Sequence, residues 1–141
     1  MDILEQKISE LSNSGARMPL YDASRSFVMA HEKEGHKEPY EMYLMLLGPE
    51  SPKLQQEIAK TRNRGAKQKD NHIPSDDEVE RERVHDSKML AQITVGGEVY
   101  MGGNWMDITK ENAYEVYYNV SIIRAQAMSF IMKPENFVKG C

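Results

Sequence analysis

Cysteine is almost missing from this chain of 141 residues: Cys141 is the only one. A lone thiol closes no internal disulfide and supplies no zinc cage, so the composition reads as that of a protein kept in a reducing compartment. Long apolar runs are missing too. None approaches the roughly 18 residues that a membrane-crossing helix requires. The opening Met1-Asp2-Ile3-Leu4-Glu5-Gln6-Lys7 has neither a basic start nor a long apolar stretch, which argues against a signal peptide. No large excess of one charge is present: the net charge is −4. Nothing global therefore asks for nucleic acid or an anionic membrane.

Catalytic patterns are equally scarce. Gly96-Gly97 and Gly102-Gly103 precede no Gly-Lys-Ser/Thr, and no Gly-x-Gly-x-x-Gly opens a helix, so they read as turns rather than a phosphate loop. No serine stands in a Gly-x-Ser-x-Gly elbow. His31 and His36 are five apart with Gly35 between them, whereas a zinc helix sets its histidines four apart on one face. The segment from His31 to Pro39 reads instead as a solvated loop. His72 and His85 have no neighbours in a ligand pattern. Cys141 has nothing to hold it against a base. No catalytic residue, metal ligand or cofactor is expected.

What is present describes a globular chain on the polar side, 40 % hydrophobic and 28 % charged. Its length suits a single domain over 1–141, with a small β part at 17–47 and a helical part at 51–138. Ten methionines are adaptable core filler, and the same softness suits promiscuous binding surfaces. Ile3, Leu4, Ile8 and Leu11 predict a short amphipathic helix over 2–12, stopped at Ser12-Asn13-Ser14-Gly15. Residues 17–31 alternate loosely, with Asp22-Ala23-Ser24 placed to turn between short strands. A strand follows at Glu41–Leu47. The expectation is an antiparallel sheet of about three strands, close to the minimum for a stable covered face.

The punctuation after that strand is the most specific local signal. Gly48-Pro49 ends it, and Ser51-Pro52 starts a helix, serine capping free N–H groups and proline filling the first helical position at no cost. This helix, over 51–69, carries Lys53, Lys60, Arg62, Arg64, Lys67 and Lys69 against Glu57 alone. It lacks the interleaved aromatics that stack on bases. The segment after the break at Asp70–Pro74 opens with Ser75-Asp76-Asp77-Glu78, a capping-box pattern whose acids suit the positive end of the helix dipole. A basic helix followed by an acidic one reads most simply as a pair with complementary faces, within the chain or with a protein partner, ahead of nucleic acid.

Residues 95–105 read as a loop in which one glycine pair could turn a hairpin. Thr109 caps a helix with Ala113, Val116, Tyr117 and Val120 on one stripe; Ser121 restarts or kinks it, Ile123, Ala127, Phe130 and Ile131 continue the face, and Pro134 ends it. The fold class is therefore α+β: a small N-terminal antiparallel sheet followed by a mainly helical C-terminal half. Leu46, Leu47, Leu54, Ile58, Trp105, Ala113, Val116, Phe130 and Ile131 are the expected core. For Trp105, packing across the base of the helical part is the first reading, and a partner contact the sharper one.

The ordered set of local motifs resembles the small tail assembly chaperones of long-tailed bacteriophages. It runs from the sheet through Leu47-Gly48-Pro49-Glu50-Ser51-Pro52 and a helix reaching Arg62-Asn63-Arg64. An acidic helix, the Gly103-Asn104-Trp105 turn, Glu111-Asn112-Ala113, Ile123-Arg124 with Gln126, and Asn136-Phe137 follow. The likeness spans about residues 17–138. It implies a non-enzymatic protein of the host cytoplasm that binds the tape-measure protein while tail-tube protein polymerises around it, with a homo-oligomer also open. On that reading Met101, Tyr114, Tyr118, Ile122 and Met128 would offer apolar burial to the client. Arg62, Arg64 and Arg124 would meet its acids, and Trp105 would be a contact residue. Other classes left open are a structural tail or neck component and, further off, a small nucleic-acid-binding regulator.

Overall fold

The computed structural model describes residues 13–65 and 75–137, the side chains of 61–65 excepted. The helix expected over 2–12 and the break at 70–74 lie outside the described residues. In chain order the elements are β1 (Ala16–Pro19), β2 (Ala30–His31), β3 (Tyr40–Glu41), β4 (Tyr43–Leu46), α1 (Pro52–Gly65), α2 (Asp76–Ile93), β5 (Thr94–Met101), β6 (Asn104–Asp107), α3 (Lys110–Asn119), α4 (Ser121–Ile131) and a 3-10 turn at Pro134–Phe137.

The strands form an antiparallel four-stranded sheet in the order β1-β4-β5-β6, with β2 and β3 paired as a separate ribbon. Period-two alternation gives the sheet two unlike faces. Ala16 opposes Leu46, Met18 opposes Leu44 and Val99 opposes Met106; these side chains share the inner face. There they join Leu90, Ile93, Val116, Tyr117, Ile123, Ala127 and Ile131 of the helices in one core. Arg17, Tyr43, Glu98, Tyr100 and Trp105 alternate with them and occupy the outer face.

The helix starts follow the sequence signals. The Ser51 hydroxyl accepts from the Leu54 amide at 3.1 Å, and that of Ser75 from the Glu78 amide at 3.2 Å. At Thr109 the capping box is closed by Asn112: its side-chain oxygen accepts from the Thr109 amide at 2.7 Å while its own amide donates to the Thr109 hydroxyl at 3.3 Å. Val120 ends α3 and starts α4, the restart expected beside Ser121. Phe137 is buried after the Pro134 turn.

The α+β class holds, with one redistribution. The stretch expected as a loop at 95–105 is most of a hairpin, β5–β6, and β5 lies beside β4 inside the sheet. Two of the four strands thus come from the half read as helical, and α2 passes into β5 without a loop, Thr94 capping the helix as it starts the strand. Gly97 makes the close pairing of β4 and β5 possible. Its φ is +145°, and a Cβ there would stand 2.6 Å from the Tyr43 carbonyl oxygen and 2.9 Å from Leu44 Cα. Gly-Gly therefore marked a strand under steric demand as well as a turn. Of the expected core, Leu46, Leu54, Ala113, Val116 and Ile131 are buried, whereas Leu47, Ile58, Phe130 and Trp105 are only half-buried. Trp105 falls short because its ring sits on the sheet face that the helices do not cover.

Candidate binding site on the outer face of the sheet

The register of β5 and β6 places Tyr100 opposite Trp105, and their rings meet edge-on at 5.8 Å. The β2–β3 ribbon and its loop approach the same rings. His31 stacks on Tyr100 at 3.6 Å, and Tyr40 meets Trp105 edge-on at 5.4 Å. The indole N–H of Trp105 donates to the Glu32 carbonyl at 2.8 Å, tying the loop to the hairpin. Such edge-on and stacked pairs each add about 0.5–1.5 kcal/mol beyond the area they bury.

A charge sits among these rings. The Lys33 ammonium lies 4.3 Å from the Tyr40 ring centre and 5.4 Å from that of Trp105, within cation–π range. It pairs with Glu98 through Oε2. The other carboxylate oxygen, Oε1, accepts from the Tyr40 hydroxyl at 2.9 Å and from the Tyr43 hydroxyl at 2.8 Å. Beyond Tyr43, the Arg17 guanidinium lies 4.0 Å over that ring. Three donors on one carboxylate hold it ionised: Lys33 first, then the two hydroxyls, keep Glu98 below the usual carboxylate range against the opposing effect of its burial. The same contacts act in reverse on the donors. The hydrogen bond to Glu98 holds Lys33 above the ordinary lysine range, and it pushes Tyr43 up to about 12. At neutral pH, then, Glu98 stays ionised while Lys33 and Tyr43 keep their protons. The group is arranged to hold a cation between two π faces and a carboxylate.

A second cluster lies on the helices. Tyr114 and Tyr118 stack at 5.7 Å on successive turns of α3. Arg83 of α2 lies 4.0 Å over the Tyr118 ring, and its Nε donates to the Tyr118 carbonyl at 2.8 Å. The Tyr118 hydroxyl donates to Glu80, a bond that raises the phenol above its ordinary range. Arg124 of α4 donates from Nη1 to the Tyr117 carbonyl at 2.7 Å and to that of Tyr118 at 3.3 Å. Two arginines thus satisfy carbonyls left open at the end of α3, where the helix dipole favours positive charge.

The residues singled out from the sequence divide between these places. Tyr114, Tyr118 and Arg124 come together at the α3–α4 junction. Ile122 and Met128 lie on α4, half-buried against the core. Met101 is in β5 two residues from buried Val99, so it faces inward, while Trp105 faces outward. Arg62 and Arg64 are in α1, and their side chains lie outside the described residues. Lys33, Tyr40 and Glu98 were not singled out. Lys33 stood in a loop read as solvated, and its partner Glu98 is 65 positions away. The available signal was the alternation Glu98-Val99-Tyr100-Met101, which separates polar and aromatic side chains from apolar ones as a strand does.

Among the described residues, no three His, Cys, Asp or Glu side chains gather as a metal site, and no helix is long and apolar enough to cross a membrane. The chain matches no family model, no curated protein and no solved structure.

Proposed function

We propose that this chain is a tail assembly chaperone of a long-tailed bacteriophage, a binding protein without enzymatic activity. In the host cytoplasm it holds the long helical tape-measure protein in solution while tail-tube protein polymerises around it. The observation that carries this reading is the set of partly exposed apolar and aromatic side chains on α3 and α4. Tyr114, Tyr118, Ile122 and Met128 are each half-buried there and keep part of their surface in solvent, soft and planar side chains suited to the apolar stripe of a helical client. The ordered motifs add support, because several of them tie one architecture together. Arg124 caps α3, and the Gln126 amide brackets the Tyr21 backbone with bonds of 2.9 and 2.7 Å. Asn136 reaches back to the Phe130 carbonyl at 3.0 Å. A set of residues that specifies a fold is expected to keep its order among proteins sharing that fold.

Affinity on such a surface comes from area more than exact fit, so each contact is weak and repeated along the client. Arg62 and Arg64 add an electrostatic component that salt screens over about 10 Å at 0.1 M. The test is co-expression of this chain with the tape-measure protein of the same phage, followed by measurement of soluble client. The wild-type chain should raise the soluble fraction, and Ile122→Ser with Met128→Gln should lower the gain in a variant whose far-UV circular dichroism stays native. A client that is as insoluble with the wild-type chain as without it overturns the assignment.

A further inference from the structure

We infer that the outer face of the sheet is a binding site for a lysine side chain presented by a partner polypeptide, and that Lys33 is its built-in, displaceable occupant. This inference concerns a different face from the client-binding side chains of α3 and α4 and does not depend on the chaperone reading.

The receiving half of the site is fixed by the sheet. Glu98 comes from β5 and Trp105 from β6, and Tyr43 comes from β4, which pairs directly with β5. Tyr40 and Tyr43 spend their hydroxyls on Glu98 Oε1, so that oxygen is closed. Oε2 is the one aimed at the cation. A primary ammonium satisfies it, donating a hydrogen bond to the carboxylate while its apolar stem lies along aromatic faces. A lysine side chain has both parts, and Lys33 shows the pose.

The occupying half is loosely held. From Glu32 to Pro39 the loop is exposed at every position except Lys33. A cleft lined by residues 32–39 lies within the loop itself. Its fastenings in that stretch are the Lys33 ammonium on Glu98 and the Tyr40 and Trp105 rings, the indole bond to the Glu32 carbonyl, and a tilted His36–Tyr40 ring contact at 4.5 Å. The Lys33 side chain keeps 27 % of its exposure and that of Glu98 keeps 17 %, which leaves the pair open to water and to exchange. A resident lysine of this kind lowers the apparent affinity for an outside one by the fraction of time the site is free.

Trp105 is the chain's only tryptophan, so its fluorescence reads this site alone. The probe is the peptide acetyl-Gly-Lys-Gly-amide, with the norleucine peptide as its uncharged isostere. Titrated into the full chain, the lysine peptide should bind Lys33→Ala more tightly than wild type by the reciprocal of the fraction of time the site is free, about tenfold for a site that Lys33 fills nine-tenths of the time. The norleucine peptide should leave the fluorescence unchanged. Adding Glu98→Gln to Lys33→Ala should abolish the response, with far-UV circular dichroism confirming that each variant is folded. Lys33→Gln serves for the same comparison if the alanine variant does not fold. Equal affinity in wild type and in the Lys33 variant overturns the displaceable occupant. No response of the folded Lys33 variant to the lysine peptide, or an equal response to norleucine, overturns the site.

Discussion

The two faces of the sheet are made by alternate residues of the same strands, yet different forces hold them. The inner face is aliphatic: Leu44, Leu46 and Val99 are fully buried against helices. Its stability comes from area removed from water, about 25 cal/mol per Å² of apolar surface, and salt and pH scarcely alter it. The outer face is held by the Glu98 carboxylate, the Lys33 ammonium, the Arg17 guanidinium and a group of aromatics, all partly open to solvent. Exposed ion pairs contribute little to stability and respond to both salt and pH. The fold therefore rests on one face, while the other can rearrange at small cost. That is the division a binding surface on a stable scaffold requires.

Breaking the inner face should have the largest effect. Leu44→Ala leaves a cavity in the core and should cost about 3–4 kcal/mol in urea denaturation. Gly97→Ala comes next. The new Cβ would meet backbone atoms of β4 that have nowhere to go, at a φ that alanine rarely adopts, so a loss of at least about 2 kcal/mol is expected. Trp105→Ala should cost about 1–2 kcal/mol, below the 3–5 of a fully packed tryptophan, because it is only half-buried. A loss as large as that of Leu44→Ala would remove the distinction between the faces. The smallest effect belongs to Ser87, whose fully buried hydroxyl has no hydrogen-bond partner among the described residues. Ser87→Ala should raise stability by up to about 1 kcal/mol in the same assay, since it removes a polar group that is desolvated without return.

Sequence reasoning reads local instructions well and distant pairings poorly, and this chain shows why. The strand end at Gly48-Pro49, the Ser51 and Thr109 caps and the restart at Ser121 each depend on a few neighbouring residues, and each was legible. The hairpin at 94–107 was partly legible. Its turn glycines were visible, but Val95-Gly96-Gly97 looked like a loop because the reason for Gly97 is the β4 backbone some 50 positions earlier. The outer-face cluster was least legible. Trp105 was singled out, but its neighbours come from a loop, a ribbon and a sheet strand that only the fold brings together. Arg124 looked like a surface charge, yet its guanidinium is engaged with the carbonyls that end α3. A helix-capping arginine and a free one cannot be told apart by spacing alone.

The contrast between the faces is tested most directly by acidifying the protein and following two signals. Trp105 fluorescence reports the outer face, and far-UV circular dichroism reports the fold. Glu98 is held below its ordinary value of 4.5, so its contribution is present above that pH and is lost as pH falls through the lowered, folded-state value. Lys33 is raised above 10.5 and Tyr43 to about 12, and neither titrates in this window. The account predicts that the fluorescence changes below pH 4.5 while the circular dichroism is still native, and that Glu98→Gln already shows the acid-form fluorescence at neutral pH and has no such step. Wild-type signals that fall together, with the same transition retained in Glu98→Gln, would contradict it.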